Sequence, residues 1–135
     1  MPSKPAKAIR YLSASELYNI NDAITDGHTF VRDLNLLNSA ARRPSLYLFG
    51  EPQFPTLADK AAALLESLAY HHLFADGNKR TAAHALNQFM RLNGYRLTWD
   101  EATQSAFILE VAQGRLDTTQ IAAALEGYIV AVDAS

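Results

Sequence analysis

His72-Leu73-Phe74-Ala75-Asp76-Gly77-Asn78-Lys79-Arg80 separates two stretches of helical apolar spacing. Before it, Leu57, Ala61, Leu64, Leu65 and Leu68 recur at three- and four-residue intervals and lead into His71 and His72. After it, Ala82, Ala85, Leu86, Phe89 and Met90 repeat that period until Asn93-Gly94. The spacing predicts an amphipathic helix on each side, and glycine suits the left-handed position past a helix end. The nine residues therefore read as a loop joining two long helices.

Further out the same grammar recurs. Ser13 with Glu16 and Thr98 with Glu101 have capping-box spacing, as do Thr56 with Asp59 and Asp117 with Gln120 in looser form. Leu17, Ile20 and Ile24 mark a first helix, and Leu34, Leu37 and Ala41 a short second one. Ala102, Ala106 and Leu109 mark a fifth that stops near Gly114. Ile121, Leu125, Tyr128, Ile129 and Val132 mark a sixth. Strand-like pieces are confined to Tyr95–Trp99 and part of Ser45–Phe54. The expected fold class is all-α, a bundle of about six helices. It forms a single domain over residues 11–133, behind a loosely held tail at residues 1–10 that carries Pro2, Lys4, Pro5, Lys7 and Arg10. Residues 44–55, with Tyr47, Phe49, Gly50, Pro52 and Phe54, break the helical period. They read either as a connector whose aromatics pack on the bundle or as a flap over a site.

Composition narrows the function. At 135 residues, 49% hydrophobic and 19% charged, the chain is an ordinary globular domain. A net charge of −2 argues against a dedicated nucleic-acid binder, so direct DNA binding is not expected. There is no cysteine, hence no disulfide framework or thiolate metal site. No apolar run reaches membrane-spanning length and no signal-peptide core opens the chain, so a cytoplasmic protein without membrane contact is expected.

The chemistry concentrates in the opening loop. Transfer to or from a phosphate needs cations, donors for the non-bridging oxygens and a base for the incoming hydroxyl. Gly77 permits a turn that other residues would strain, and the residues after it open a helix whose free N–H groups favour an anion. Asn78 adds amide donors, and Lys79 and Arg80 add charge. Asp76 is placed to hold Mg²⁺ against phosphate oxygens. A histidine at the end of the preceding helix can take a proton near neutral pH. Each part alone has a plain structural reading, as a turn, a solvated face or a core histidine; their conjunction does not. Periodicity does not choose between His71 and His72.

The run resembles the signature of the Fic superfamily, H-x-F-x-[DE]-G-N-[GK]-R, with His72 as its histidine. Arg80 is followed by Thr81-Ala82, as in the Doc (death-on-curing) toxins. Tyr11-Leu12-Ser13, Val31-Arg32-Asp33-Leu34, Pro55 to Ala62 and Arg91-Leu92-Asn93-Gly94-Tyr95 are similar to Doc landmarks in the same order. The resemblance implies a Fic/Doc-type bundle with a catalytic loop at 72–80 and a flap-like loop at 44–55. It implies His72 as general base, Phe74 as the loop's anchor and Asp76 at Mg²⁺. It also implies Gly77, Asn78, Lys79 and Arg80 as the cradle for ATP phosphates.

The resemblance also bears on the group transferred. AMP-transferring members usually have glycine where Lys79 stands and a second arginine at the place of Ala83. Both departures resemble Doc toxins, which act as protein kinases that move the γ-phosphoryl, with elongation factor Tu the target suggested. Asp76-Gly77 is closer to the AMP-transferring pattern, so adenylyl transfer is the alternative. An inhibitory helix of the form [ST]-x-x-x-E-[GN] is missing: before Glu126-Gly127, the required position holds Ala122. That implies restraint in trans by a Phd-like antitoxin. The polar face Arg80, His84, Asn87 and Arg91 reads either as available for such contacts or, for His84 and Arg91, as simply hydrogen-bonded or solvated. A metal-dependent phosphohydrolase using His71, His72 and Asp76 and a non-catalytic interaction domain are the readings from other classes.

Overall fold

The computed structural model describes residues 8–132. Its elements are α1 (Ala14–Ile24), α2 (Leu34–Arg42), β1 (Tyr47–Leu48), β2 (Glu51–Pro52), α3 (Leu57–Tyr70), α4 (Asn78–Leu92), β3 (Tyr95–Leu97), α5 (Glu101–Ala112), α6 (Thr118–Glu126) and β4 (Ile129–Ala131). A 3₁₀ turn at Arg43–Ser45 follows α2. This is the all-α architecture the spacing predicts, with two short antiparallel ladders added.

The α3 helix is the centre. Thr56 Oγ1 accepts from Asp59 N at 3.0 Å while Thr56 N donates to Asp59 Oδ2 at 3.2 Å, closing the anticipated box. Behind that cap Ala58, Ala61, Leu64, Leu65 and Leu68 are buried, but so are Ala62, Ala63 and Ala69. A helix apolar nearly all round is one surrounded by others, and α4, α5 and α6 pack directly on α3. The small alanines bring their axes close. On α4, Ala82, Ala85, Leu86, Phe89 and Met90 are buried as the spacing predicts, and Gly94 closes the helix at φ +84°. No helix among the described residues is long and apolar enough to cross a membrane.

Four expectations need correction. The sixth helix does not run to Val132: it ends at Glu126, and Ile129–Ala131 pair with Tyr95–Leu97. Gly127 interrupts the helix, and β-branched Ile129 and Val130 take the partner that β3 offers. The cap of α5 is Asp100, whose carboxylate accepts from Thr103 N at 2.7 Å, rather than Thr98. Thr98 N instead donates to Tyr128 O. On α5 the buried face carries Ile108 and Val111, and Leu109 is exposed; apolar residues almost encircle this helix, so spacing alone does not select a face. Finally, of the tail expected at 1–10, residues 1–7 lie outside the described residues, as does Asp133 at the other end. Ile9 packs on the core, and Arg10 exchanges backbone bonds with the Asn93 amide at 2.9 and 3.0 Å.

Candidate active site

The nine-residue loop is pinned before it is functional. Leu73 and Phe74 are each 1% exposed, and burying such a phenylalanine contributes about 1.5–3 kcal/mol. A single antiparallel bridge joins Phe74 to Val31: Arg32 N donates to Leu73 O at 2.8 Å and Ala75 N to Phe30 O at 2.9 Å. From within the loop, Asn78 Oδ1 accepts from Phe74 N at 3.0 Å and Asn78 Nδ2 donates to Phe74 O at 2.8 Å. The Asn78 amide is therefore engaged as a brace, which leaves its backbone N–H as its group at the helix end.

Both histidines stand outside the core. His71 caps α3, and His72 turns the chain with φ +48°, a conformation that costs a residue with a side chain about 1–3 kcal/mol. Both side chains are exposed. His71 meets the Tyr70 ring edge-on at 5.1 Å between centroids. His72 carries the backbone strain, at the junction between α3 and the pinned loop.

The N-terminus of α4 differs from every other α-helix start described. Ser13, Asp33, Thr56, Asp100 and Asp117 each cap their own helix with a side chain, whereas α4 has no side-chain cap. Its first backbone bond runs from Thr81 N to Gly77 O at 2.8 Å. The N–H groups of Asn78, Lys79 and Arg80 precede that bond and are free to meet an anion. Gly77 makes the opening turn at φ +75°, and a Cβ there would sit 3.2 Å from Ile24 Cγ2 and 3.3 Å from Asn21 Nδ2. Lys79 and Arg80 are exposed. Asp76 Oδ1 accepts from Gly77 N at 2.8 Å, and its Oδ2 lies 3.9 Å from Arg80 Nη2 across solvent. Such an exposed pair is worth little, so both groups can turn to a ligand.

The donor set fits a nucleotide polyphosphate: three backbone N–H groups, a helix N-terminus and two cations on one turn. Among the described residues no three His, Asp or Glu side chains converge to hold a metal by themselves. Asp76 with one uncommitted oxygen suits Mg²⁺, which takes one or two carboxylates and completes its shell with phosphates and water.

Sequence reasoning missed Asn21. This α1 residue is fully buried, and its Nδ2 donates to Asp76 O at 2.9 Å and to Thr81 Oγ1 at 3.0 Å. The signal was present: Asn21 lies four residues after Leu17, on the apolar stripe of that helix. Of the polar α4 face, Asn87 donates to Gln104 Oε1 at 3.1 Å, and His84 and Arg91 are exposed.

Residues 44–55 pack on the bundle at their ends and project a hairpin between them. Pro44 and Phe54 are buried, while β1 and β2 form a hairpin whose tip, Phe49, is 97% exposed. Phe49 and Gly50 have φ +52° and +81°, the pair of positive values that matches hairpin twist. The hairpin's root is fastened to α3. Arg43 Nη1 lies 2.8 Å from Glu66 Oε1 and its guanidinium 5.2 Å from the Phe54 ring centre, and buried Lys60 donates to Pro44 O at 3.3 Å. A cavity of about 270 Å³ lies between Leu46 and Gln53 of this segment, Leu36 and Ser39 of α2, and Glu66 and His71. The hairpin thus shares a wall with the histidine turn.

Two comparisons with known proteins show the family. The family model described as Fic/DOC family matches residues 11–90. The chain is also 41% identical over 123 residues to a protein named Toxin Doc from Mycolicibacterium smegmatis, covering 90% of this chain and 95% of that protein.

Proposed function

This chain belongs to the Fic/Doc family, and from that premise we propose that it is the toxin of a toxin–antitoxin pair. In this reading it transfers the γ-phosphoryl of ATP to a hydroxyl of a translation factor, for which the family suggests elongation factor Tu. The observation that carries the reading is the uncapped, cationic N-terminus of α4 one short loop from the exposed His72. His72 takes the proton of the target hydroxyl as its oxygen bonds to the γ-phosphorus. The bond to the bridging oxygen breaks, and ADP leaves. The N–H groups of Asn78, Lys79 and Arg80, with the two side-chain charges, hold the non-bridging oxygens where negative charge accumulates. Asp76 would hold Mg²⁺, which supplies further neutralisation of the phosphates when bound.

Lys79 and Ala83 favour phosphoryl over adenylyl transfer. A lysine side chain beside the N–H nest alters which phosphates fit, and Ala83 provides no distal cation. Adenylyl transfer is the second reading, supported by Asp76-Gly77. Incubation with ATP and elongation factor Tu followed by intact mass measurement distinguishes them. A phosphoryl increment that disappears with His72→Ala is expected; an adenylyl increment overturns the kinase reading. A Phd-like antitoxin is the proposed restraint. Growth arrest on expression, relieved by a small neighbouring reading frame, tests it, and expression without arrest counts against a toxin.

A further inference from the structure

We propose that Asn21 is a positioning residue for the phosphate cradle, an inference that rests on the phosphotransfer reading. Its amide orientation is fixed by chemistry. Nδ2 faces Asp76 O and Thr81 Oγ1, and a flipped amide would set its oxygen against the Asp76 carbonyl, acceptor against acceptor. In the fixed orientation Asn21 Oδ1 is buried without a hydrogen-bond partner. An unpaired buried acceptor is unfavourable for folding, so the amide is a poor choice for core stability alone. Its two donated bonds reach opposite ends of the first turn of α4. One holds the carbonyl before Gly77; the other holds the hydroxyl of Thr81, whose N–H makes the first helical bond. Between those points lie the three free N–H groups of Asn78, Lys79 and Arg80. Asn78 grips Phe74 from the other side of the turn. Asn21 and Asn78 together immobilise the turn without consuming the donors an anion would need. Preorganised donors of this kind bind without reordering when the ligand arrives.

The test uses Asn21→Leu, which keeps the branching at Cγ but cannot hydrogen-bond, and Asn21→Asp, whose carboxylate cannot donate to Asp76 O. Titration calorimetry with Mg-ATP and with inorganic triphosphate reads the cradle, Tm reads the fold, and KM for ATP is set against KM for the protein target. For Asn21→Leu we expect a Tm within a few degrees of wild type and a Kd for both polyphosphates raised about tenfold, the net value of a single hydrogen bond, because the two lost bonds act on the ligand only by positioning the turn. KM for the protein target stays unchanged. Asn21→Asp weakens binding further, through its added negative charge. Thr81→Val, which removes one of the two anchors and leaves Asn21 in place, gives a smaller rise and keeps the test open if an Asn21 variant folds poorly. Variants that bind both probes like wild type overturn the inference and leave the phosphotransfer reading intact. A wild-type chain that binds neither probe overturns both.

Discussion

The starts of α3 and α4 solve the same problem in opposite ways. Both helices are long, and both begin with N–H groups that lack intrahelical partners. At α3, Thr56 and Asp59 satisfy each other locally, within four residues. At α4 the side chain best placed to help, Asn78, turns back to Phe74, and a glycine in a left-handed conformation opens the helix. Order there comes from α1, through Asn21, and from the buried Phe74. A helix start that closes on itself serves the fold. One held rigid from outside keeps its donors for something else.

That contrast breaks most sharply at His72. Replacing it with glycine removes the proposed base and also relieves the positive φ. His72→Gly is expected to reduce transfer by about 10²–10⁴-fold while raising Tm, by phosphorylation assay and calorimetry on the same preparation. A fall in both would mean that the side chain is structural. Gly77→Ala is next. The added Cβ meets Ile24 Cγ2 and Asn21 Nδ2 at a left-handed position, so denaturant unfolding should show a loss of about 1–3 kcal/mol together with weaker nucleotide binding. Thr56→Ala sharpens the opposite pole. Losing that cap costs about 1 kcal/mol and leaves the transfer rate unchanged, because α3 does its capping far from the loop. A changed rate would show that the two helix starts are coupled.

The smallest effect is a titration. Hydrogen bonds from the Thr103 side chain and backbone hold the Asp100 carboxyl below the ordinary carboxylate range. A depressed native value means that its contribution is complete above the unfolded value of about 3.9 and disappears as pH falls through the native one. The Tm difference between wild type and Asp100→Ala should therefore be present at neutral pH and shrink in acid. A difference that stays undiminished as the pH is lowered into acid would assign the effect to packing.

The local helix starts were the legible part of this fold. Ser13, Thr56 and Asp117 carry their partners three residues away, and all three pairs form boxes. Buried stripes with clear polar opposites, as on α4, were legible too. Where apolar residues encircle a helix, as on α5, the face is chosen by neighbours. Where a short apolar run has a partner strand far away, as at Ile129–Ala131, pairing outweighs helical period. In the candidate site, the motif residues stand out in the sequence because their chemistry is dense in nine positions. Asn21 could not, because its role depends on which loop the fold brings against it, 55 residues away in sequence.

The ladder between β3 and β4 has a kinetic consequence. It joins Tyr95–Leu97 to Ile129–Ala131 by three residue pairs, closing a long stretch of chain that carries α5 and α6, which also pack on α3. The entropy of closing such a loop must be met before those pairs gain anything. Nucleation is therefore expected at α3 and α4, neighbours in sequence as well as in space. The ladder should close late and open early. Its amides should exchange with solvent through local fraying while those at the centre of α3 await global unfolding.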